Sequence, residues 1–485
     1  MMRLLALALA LAAAAAACAH SPAGELRFHN RAPVWQVDDR VPLARPPAAR
    51  DYHRGLYHLD GFLVRRATRV MDVRLPTPAR DVNSLGEVPD STWFTNRIGV
   101  RALSLDEIRR GPNTSGSPFD HRPWTITSGK RGGTAPGFRF RDARGHAYLL
   151  KLEPRELPEM ETAAHVIVHR ILWAAGYHVP EDHLGYVRRE DLQIAPDARQ
   201  PDARGREVPL RAADIERVLA RAYRGGAGYR AIASRLLPGV PLGPFAREGT
   251  RADDPNDLVP HEQRRSLRGQ YALFSWLGHS DIQEDQTLDV FVEQPGAPGR
   301  GHVVHYLLDF GKALGVMGYQ NRWKTVGYTY RLDVGMAIGS LISLGLWRRP
   351  WDELEAPGLR GIGLFDAAHY EPDGWRSNSL YWPHEDSDRL DRFWGAKILI
   401  RFTRAQLAAI VAEARYADPA AARYMVDTLI ARQRKAARHW FTEVAPLDRF
   451  EVGPEGRLCF DDLWLVHGLG APGDPPTRYL AEAYD

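Results

Sequence analysis

The stretch His279-Ser280-Asp281-Ile282-Gln283-Glu284-Asp285-Gln286-Thr287-Leu288-Asp289 decides how this chain is read. It follows an amphipathic run, His261 to Gly278, and precedes an apolar strand, Val290 to Val292. A second acidic string, His305-Tyr306-Leu307-Leu308-Asp309-Phe310-Gly311, comes after a segment that reads as a hairpin. The order is therefore helix, acidic loop, strand, hairpin, then Asp-Phe-Gly. Carboxylates and an amide in that order offer oxygen ligands suited to a hard divalent cation.

The match goes position by position. His279, then Asp281, then an amide, Gln286, five residues on, follows the pattern H-R-D-x-x-x-x-N, and Asp309-Phe310-Gly311 follows as the metal-binding triplet. The chain thereby resembles the protein-kinase-like superfamily, in its divergent bacterial branches, the HipA-like and CotH-like atypical kinases. The resemblance implies an α+β, two-lobed fold with a small antiparallel-sheet lobe and a larger helical lobe. It also implies ATP or another nucleotide, and Mg, as cofactors. Phosphoryl transfer asks the protein mainly for positioning and charge stabilisation. On this resemblance Asp281 accepts the proton of the acceptor, Gln286 and Asp309 hold the metal, and Asp285 is a reserve ligand. The family has Asn where Gln286 stands, so the amide reaches about 1 Å further on one more methylene.

Upstream, Trp124-Thr-Ile-Thr-Ser alternates as a strand should and runs into Gly129-Lys-Arg-Gly132-Gly133-Thr-Ala-Pro-Gly137. Strands Phe138 to Arg141 and His146 to Lys151 follow, separated by the turn Asp142 to Gly145. By resemblance, Gly129, Gly132 and Gly133 let backbone amides approach phosphate, and Lys151 neutralises it. The loop is neither G-x-G-x-x-G nor a Walker-A loop. A helix from about Glu159 to Ala175 ends at Gly176, with Pro180 beyond, and Val166, Ile167, Ile171 and Leu172 share one face. The acidic partner of the family's lysine falls by count on His165, so the expected partner of Lys151 is Glu161, with Glu159 second. His165 and Gln286 are the two departures from the family pattern, and both favour a pseudokinase over an active enzyme.

Composition bounds the rest. The chain has 485 residues, 44% hydrophobic and 26% charged, enough for a packed core, and its net charge of +4 is too small to argue for a nucleic-acid partner. Two cysteines, Cys18 and Cys459, lie too far apart in sequence for zinc or redox spacing. Met1 to Ala17 carries Arg3 and then an unbroken Leu/Ala run ending at Cys18, which reads as a secretory signal with a lipobox-like site. Cys18 is thus the expected lipidation position, anchoring the protein to a membrane without spanning it.

The expected organisation is a signal peptide over 1–18, a tether over 19–50 and an accessory segment over 51–120. The small lobe and hinge occupy 121–240, the helical large lobe 241–445, and a tail 446–485. Arg188 to Pro209 reads as a polar surface insertion, and Arg331 to Trp347 as a long apolar helix. Ser104 with Glu107, Thr403 with Gln406, and Asp418 before Pro419 carry helix-start signals. Neither G-x-S-x-G nor H-E-x-x-H occurs. The functional expectation is an exported, lipid-anchored, Mg-ATP-dependent phosphotransferase acting on a protein or small-molecule acceptor. The alternative is a nucleotide-binding or structural envelope scaffold without catalysis.

Overall fold

A computed structural model describes residues 32–71, 77–202, 204–349, 351–471 and 477–480. Cys18 and the signal-like run lie outside them. The fold is α+β and two-lobed, and an eight-stranded sheet builds the small lobe. Its strands are β1 (Trp124–Gly129), β2 (Gly137–Arg141), β3 (Ala147–Leu152), β4 (Asp182–Val187), β5 (Leu192–Pro201), β6 (Glu207–Pro209), β7 (Arg224–Gly225) and β8 (Gly228–Arg235), in the spatial order β4-β8-β3-β2-β1-β5-β6 with β7 on β8. All pairs are antiparallel except β1 with β5.

Period-two alternation sorts the two faces of this sheet. Trp124, Ile126, Phe138, Phe140, Tyr148, Leu150 and Leu152 pack on one face. Lys151 therefore points to the other face, beside Ile232 of β8 in register. On that second face lies helix α1 (Glu161–Ala175), whose Val166 packs against Leu184 and Ile232.

Helix α1 is buried on nearly every side, not along one stripe. Only Trp173 of its residues is not fully buried. Phe94 closes over Gly176, where a Cβ would come within 2.2 Å of the ring at a φ of +135°, so this C-cap admits only glycine. The helix Leu105–Arg110, started by the Ser104–Glu107 capping box, covers another side. Burial all round is affordable because the polar side chains find partners. His169 Nε2 meets Pro180 O at 2.7 Å, and Arg170 Nε donates to Arg109 O at 2.8 Å.

The large lobe begins with β9 (Val240–Gly243), which joins β10 (Thr287–Gln294) and β11 (Ala297–Leu307) in a three-stranded sheet. The run His261 to Gly278, read as amphipathic, is a short 3₁₀ turn, then Arg265–Arg268, then α2 (Gln270–Leu277), and both helices are buried throughout. Helices α3 (Arg389–Leu399) and α5 (Pro419–Thr442) pack on α2, and α4 (Arg404–Glu413) packs on α5 and α1. The contact of α2 with α3 is close because Gly269 faces Trp394 and Gly395 faces the Gly269 carbonyl, each with no room for a Cβ. Arg264 and Arg265 are buried on Asp257 and Asp391 at 2.8 and 2.9 Å.

The polar insertion after Arg188 supplies β5 and β6, which extend the sheet beyond β1. Two further expectations change. Residues 32–50, expected as a tether, lie on the large lobe: Leu43 N donates to Gly301 O at 2.7 Å and Arg50 N to Leu242 O at 2.7 Å. The apolar helix is shorter, Val334–Ile342, and presents Leu341 and Ile342 to solvent rather than to the core. Among the described residues, no helix is long and apolar enough to cross a membrane, and Cys459 is a free, exposed thiol.

Candidate active site

The site is assembled where β3, the loop after α2 and the turn after β11 meet. Helix α2 stops at Gly278, whose left-handed φ of +57° turns the chain into His279. His279 is buried, its Nδ1 has no hydrogen-bond partner among the described residues, and burial first of all lowers its pKa to about 4, so the ring is neutral. It packs edge-on to Phe274 at 4.8 Å and against Phe310 at 6.1 Å. Phe310 also touches the rings of His165 and His169 on α1, at 5.5 and 5.9 Å. The Asp-Phe-Gly phenylalanine thus ties the acidic loop to the small-lobe helix and fixes where the flanking Asp309 stands.

Asp309 adopts a left-handed φ of +57°, which aims its carboxylate at β3. Lys151 Nζ lies 2.9 Å from Asp309 Oδ1. Burial disfavours both charges, but each partner outweighs it. Asp309 raises the Lys151 ammonium pKa, and Lys151, then His165, hold Asp309 well below the usual carboxylate range.

Asp281 receives a hydrogen bond from Gln283 Nε2 at 2.9 Å and another from the Gln286 side chain. Burial, and then the Asp309 charge, raise its pKa. Asp285, though exposed, is raised by partial desolvation, with Asp281 and Asp309 adding to it and Arg54 opposing. The main chain holds these groups in register, since Leu308 N donates to Gln286 O at 2.8 Å. Three carboxylates thus lie within electrostatic reach of one another, beside the buried Gln286 Oε1, which has no hydrogen-bond partner among the described residues.

That donor set fits a hard divalent cation: its oxygens match, an amide oxygen has no partner among the described residues, and a cation would relieve the carboxylate repulsion that adds to desolvation in raising Asp281 and Asp285. Among the described residues no group of three or more His, Cys, Asp or Glu side chains forms a ready-made metal cage. Mg²⁺ commonly takes one or two carboxylates and completes its shell with water and substrate phosphate.

Glu161 does not pair with Lys151. Its Oε2 lies 3.1 Å from Lys312 Nζ, and its side chain crosses Gly311, where a Cβ would come within 2.8 Å of Glu161 Cγ. The two lysines have divided the two acids: Asp309 sits at the end of β3, while Glu161, in the first turn of α1, meets the residue after Gly311. Lys312 was legible as the neighbour of Asp309-Phe310-Gly311, but nothing in the sequence says which acid it meets. Glu159 turns away to the large lobe, accepting from Ala417 N at 2.8 Å. His165 is paired with Asp182 of β4 at 2.6 Å.

The glycines divide in the same way. Gly132 and Gly133 have left-handed φ values of +71° and +69°. Gly129 instead closes β1 against the insertion, where a Cβ would come within 2.8 Å of Gln200 Cβ.

A residue that the sequence reading did not single out completes the region. Arg230 of β8 is fully buried and donates from Nε to Thr162 Oγ1 at 2.7 Å, from Nη1 to Arg415 O at 3.0 Å and from Nη2 to Ala414 O. It thereby joins the small-lobe sheet, the start of α1 and the C-terminal end of α4. Glu153, two residues past Lys151, accepts from Glu161 N at 2.9 Å and Thr162 N at 3.1 Å and so caps α1.

No family model and no curated protein matches this sequence. Two solved kinase structures are similar to it. The Helicobacter pylori proinflammatory kinase CtkA is 11% identical, with a TM-score of 0.33 over 65% of this chain and 95% of that one. The Golgi casein kinase with Mn/ADP bound is 12% identical, with a TM-score of 0.32 over 69% of this chain and 74% of that one.

Proposed function

We propose that this chain is a kinase-like phosphotransferase that uses a nucleotide, ATP in the first instance, with Mg²⁺. The supporting observation is the meeting of Lys151 and Asp309 at 2.9 Å with Asp281 in electrostatic reach of Asp309, from three distant parts of the sequence. Lys151 neutralises the phosphate chain. Asp281, oriented by Gln283 and Gln286, accepts the proton of the attacking hydroxyl. Asp309 and the free Gln286 Oε1 are the metal ligands, with Asp285 in reserve. The bound cation would draw off the charge of the phosphate oxygens. The acceptor is a protein or small molecule, and no nucleic-acid partner is expected.

Export, and an acyl anchor at Cys18 tethering the folded part to a membrane surface, belong to the same proposal. They rest on the leader-like Met1 to Ala17 alone.

The pairing of Glu161 with Lys312 favours a second reading, a nucleotide-binding pseudokinase, because Lys151 lacks a glutamate to hold it once Asp309 turns to a cation. Mg-ATP titration with thermal unfolding tests the first part of both readings. A ligand at 100 times its Kd stabilises the fold by about 2.7 kcal/mol, so the melting temperature should rise by several degrees. No rise at millimolar nucleotide refutes nucleotide binding. Labelled phosphate appearing on an acceptor, and lost in Asp281→Asn and Asp309→Asn, identifies the enzyme. Binding without transfer identifies the pseudokinase.

A further inference from the structure

Three lysines face the proposed phosphate site, and two have carboxylate partners: Lys151 with Asp309 and Lys312 with Glu161. The third, Lys130, comes from the glycine loop itself. Its ammonium donates to Gly132 O at 3.1 Å and Ala135 O at 2.9 Å, both carbonyls of that loop. Among the described residues no carboxylate forms an ion pair with it.

The loop is shaped around this side chain. A Cβ on Gly133 would lie 2.7 Å from Lys130 Nζ, and one on Gly137 would lie 3.3 Å from Lys130 Cδ. Gly137, against which the Lys130 stem packs, pairs in register with Lys151, so Lys130 lies beside Lys151. Burial, and then the charge of Lys151, lower its pKa. A half-buried ammonium held, among the described residues, by carbonyl oxygens and lying beside Lys151 is a place for an anion.

We infer that Lys130 is a phosphate-contacting residue of this site, carried on the glycine loop in addition to Lys151, so that the site discriminates for nucleotides with a long phosphate chain. The inference rests on the phosphotransferase reading and deepens it. A glycine loop ordinarily offers phosphate only its backbone amides. Here the loop adds a mobile point charge whose donors are free to move from loop carbonyls to phosphate oxygens.

Calorimetric titration of the full chain with adenosine, ADP and ATP, each with Mg²⁺, tests this. Lys130→Ala should weaken ATP binding by about tenfold to a hundredfold, the range for one charged hydrogen-bonding group. It should leave adenosine within twofold of wild type, and Lys130→Arg should restore most of the loss. Gly133→Ala, which displaces the ammonium, should weaken ATP similarly, and should add nothing in the Lys130→Ala background. ATP binding that is unchanged or tighter in Lys130→Ala, while wild type binds ATP, overturns the inference and leaves the phosphotransferase reading standing. Equal loss for adenosine and ATP also overturns it, because Lys130 then merely shapes the loop. Wild type that binds none of the three nucleotides overturns both.

Discussion

Replacing Arg230 with methionine should loosen the joint between the lobes by an amount that can be worked out. Arg230 is 0% exposed and lies 3.6 Å from Glu153, which is also 0% exposed. Methionine refills most of the volume, so the cavity contribution is small. The cost comes from the groups left behind: Ala414 O, Arg415 O and Thr162 Oγ1 lose a charged donor, and Glu153 loses its nearest cation. Removing one member of a buried charged cluster costs about 3–5 kcal/mol, and a loss near 4 kcal/mol is expected.

The loss should also depend on pH, with a definite sign. Burial, above all, raises the Glu153 carboxyl to about 7 from its ordinary 4.5, against the opposing pull of Thr162 and Arg230. Between those pH values the folded chain binds more protons at Glu153 than the unfolded chain, so this group's contribution falls as pH rises. Without Arg230 the folded pKa rises further, and the deficit of the variant should grow from pH 5 to pH 8. Urea unfolding followed by tryptophan fluorescence, across that range, measures both quantities. Glu153→Gln should remove the pH dependence of the difference. A loss below about 1 kcal/mol, or a deficit that shrinks as pH rises, refutes the account of Arg230 as the electrostatic joint.

Three other outcomes follow from the same packing. The imidazoles of His169 and His384, both buried, and of half-buried His178, each lowered to about 3 chiefly by loss of solvent, are neutral in the fold, so their contribution is present above about pH 6.5 and is lost as pH falls toward 3. Acid titration of the melting temperature should show a steep decline over that window, and a flat profile between pH 6.5 and 4 contradicts it. Gly269→Ala should destabilise by about 1–2 kcal/mol despite alanine's better helix propensity, because the new Cβ meets Trp394 at 2.4 Å; equal or greater stability would show that the ring moves aside freely. A double-mutant cycle should give Glu161→Gln with Lys312→Met a coupling of about 1 kcal/mol or more, and Glu161→Gln with Lys151→Met a value near zero. The reverse pattern means that Glu161 belongs to Lys151.

The local elements were legible because they are written in local chemistry. The alternation through Trp124 and Ile126 predicts β1. Ser104 with Glu107, Thr403 with Gln406, and Asp418 with Pro419 all cap the helices they precede. The misread elements are those whose partners lie far away in the chain. Polar β5 is a strand because β1 offers it an edge, and α1 is buried all round because Phe94, Leu105–Arg110 and α4 converge on it.

By itself the sequence determined the order of the acidic loop, the Asp-Phe-Gly turn, the glycine loop and the lysine strand, along with the period that turns Lys151 away from the aromatic core. Those are properties of spacing and of backbone repeat, and they hold before any two elements touch. Only the tertiary structure decided which charge meets which: Lys151 with Asp309, Lys312 with Glu161, His165 with Asp182, and Lys130 with loop carbonyls. Ion pairing falls off over a few ångströms, and those separations are set by the packing of β3, α1 and the turn after β11 against one another, which no local pattern records.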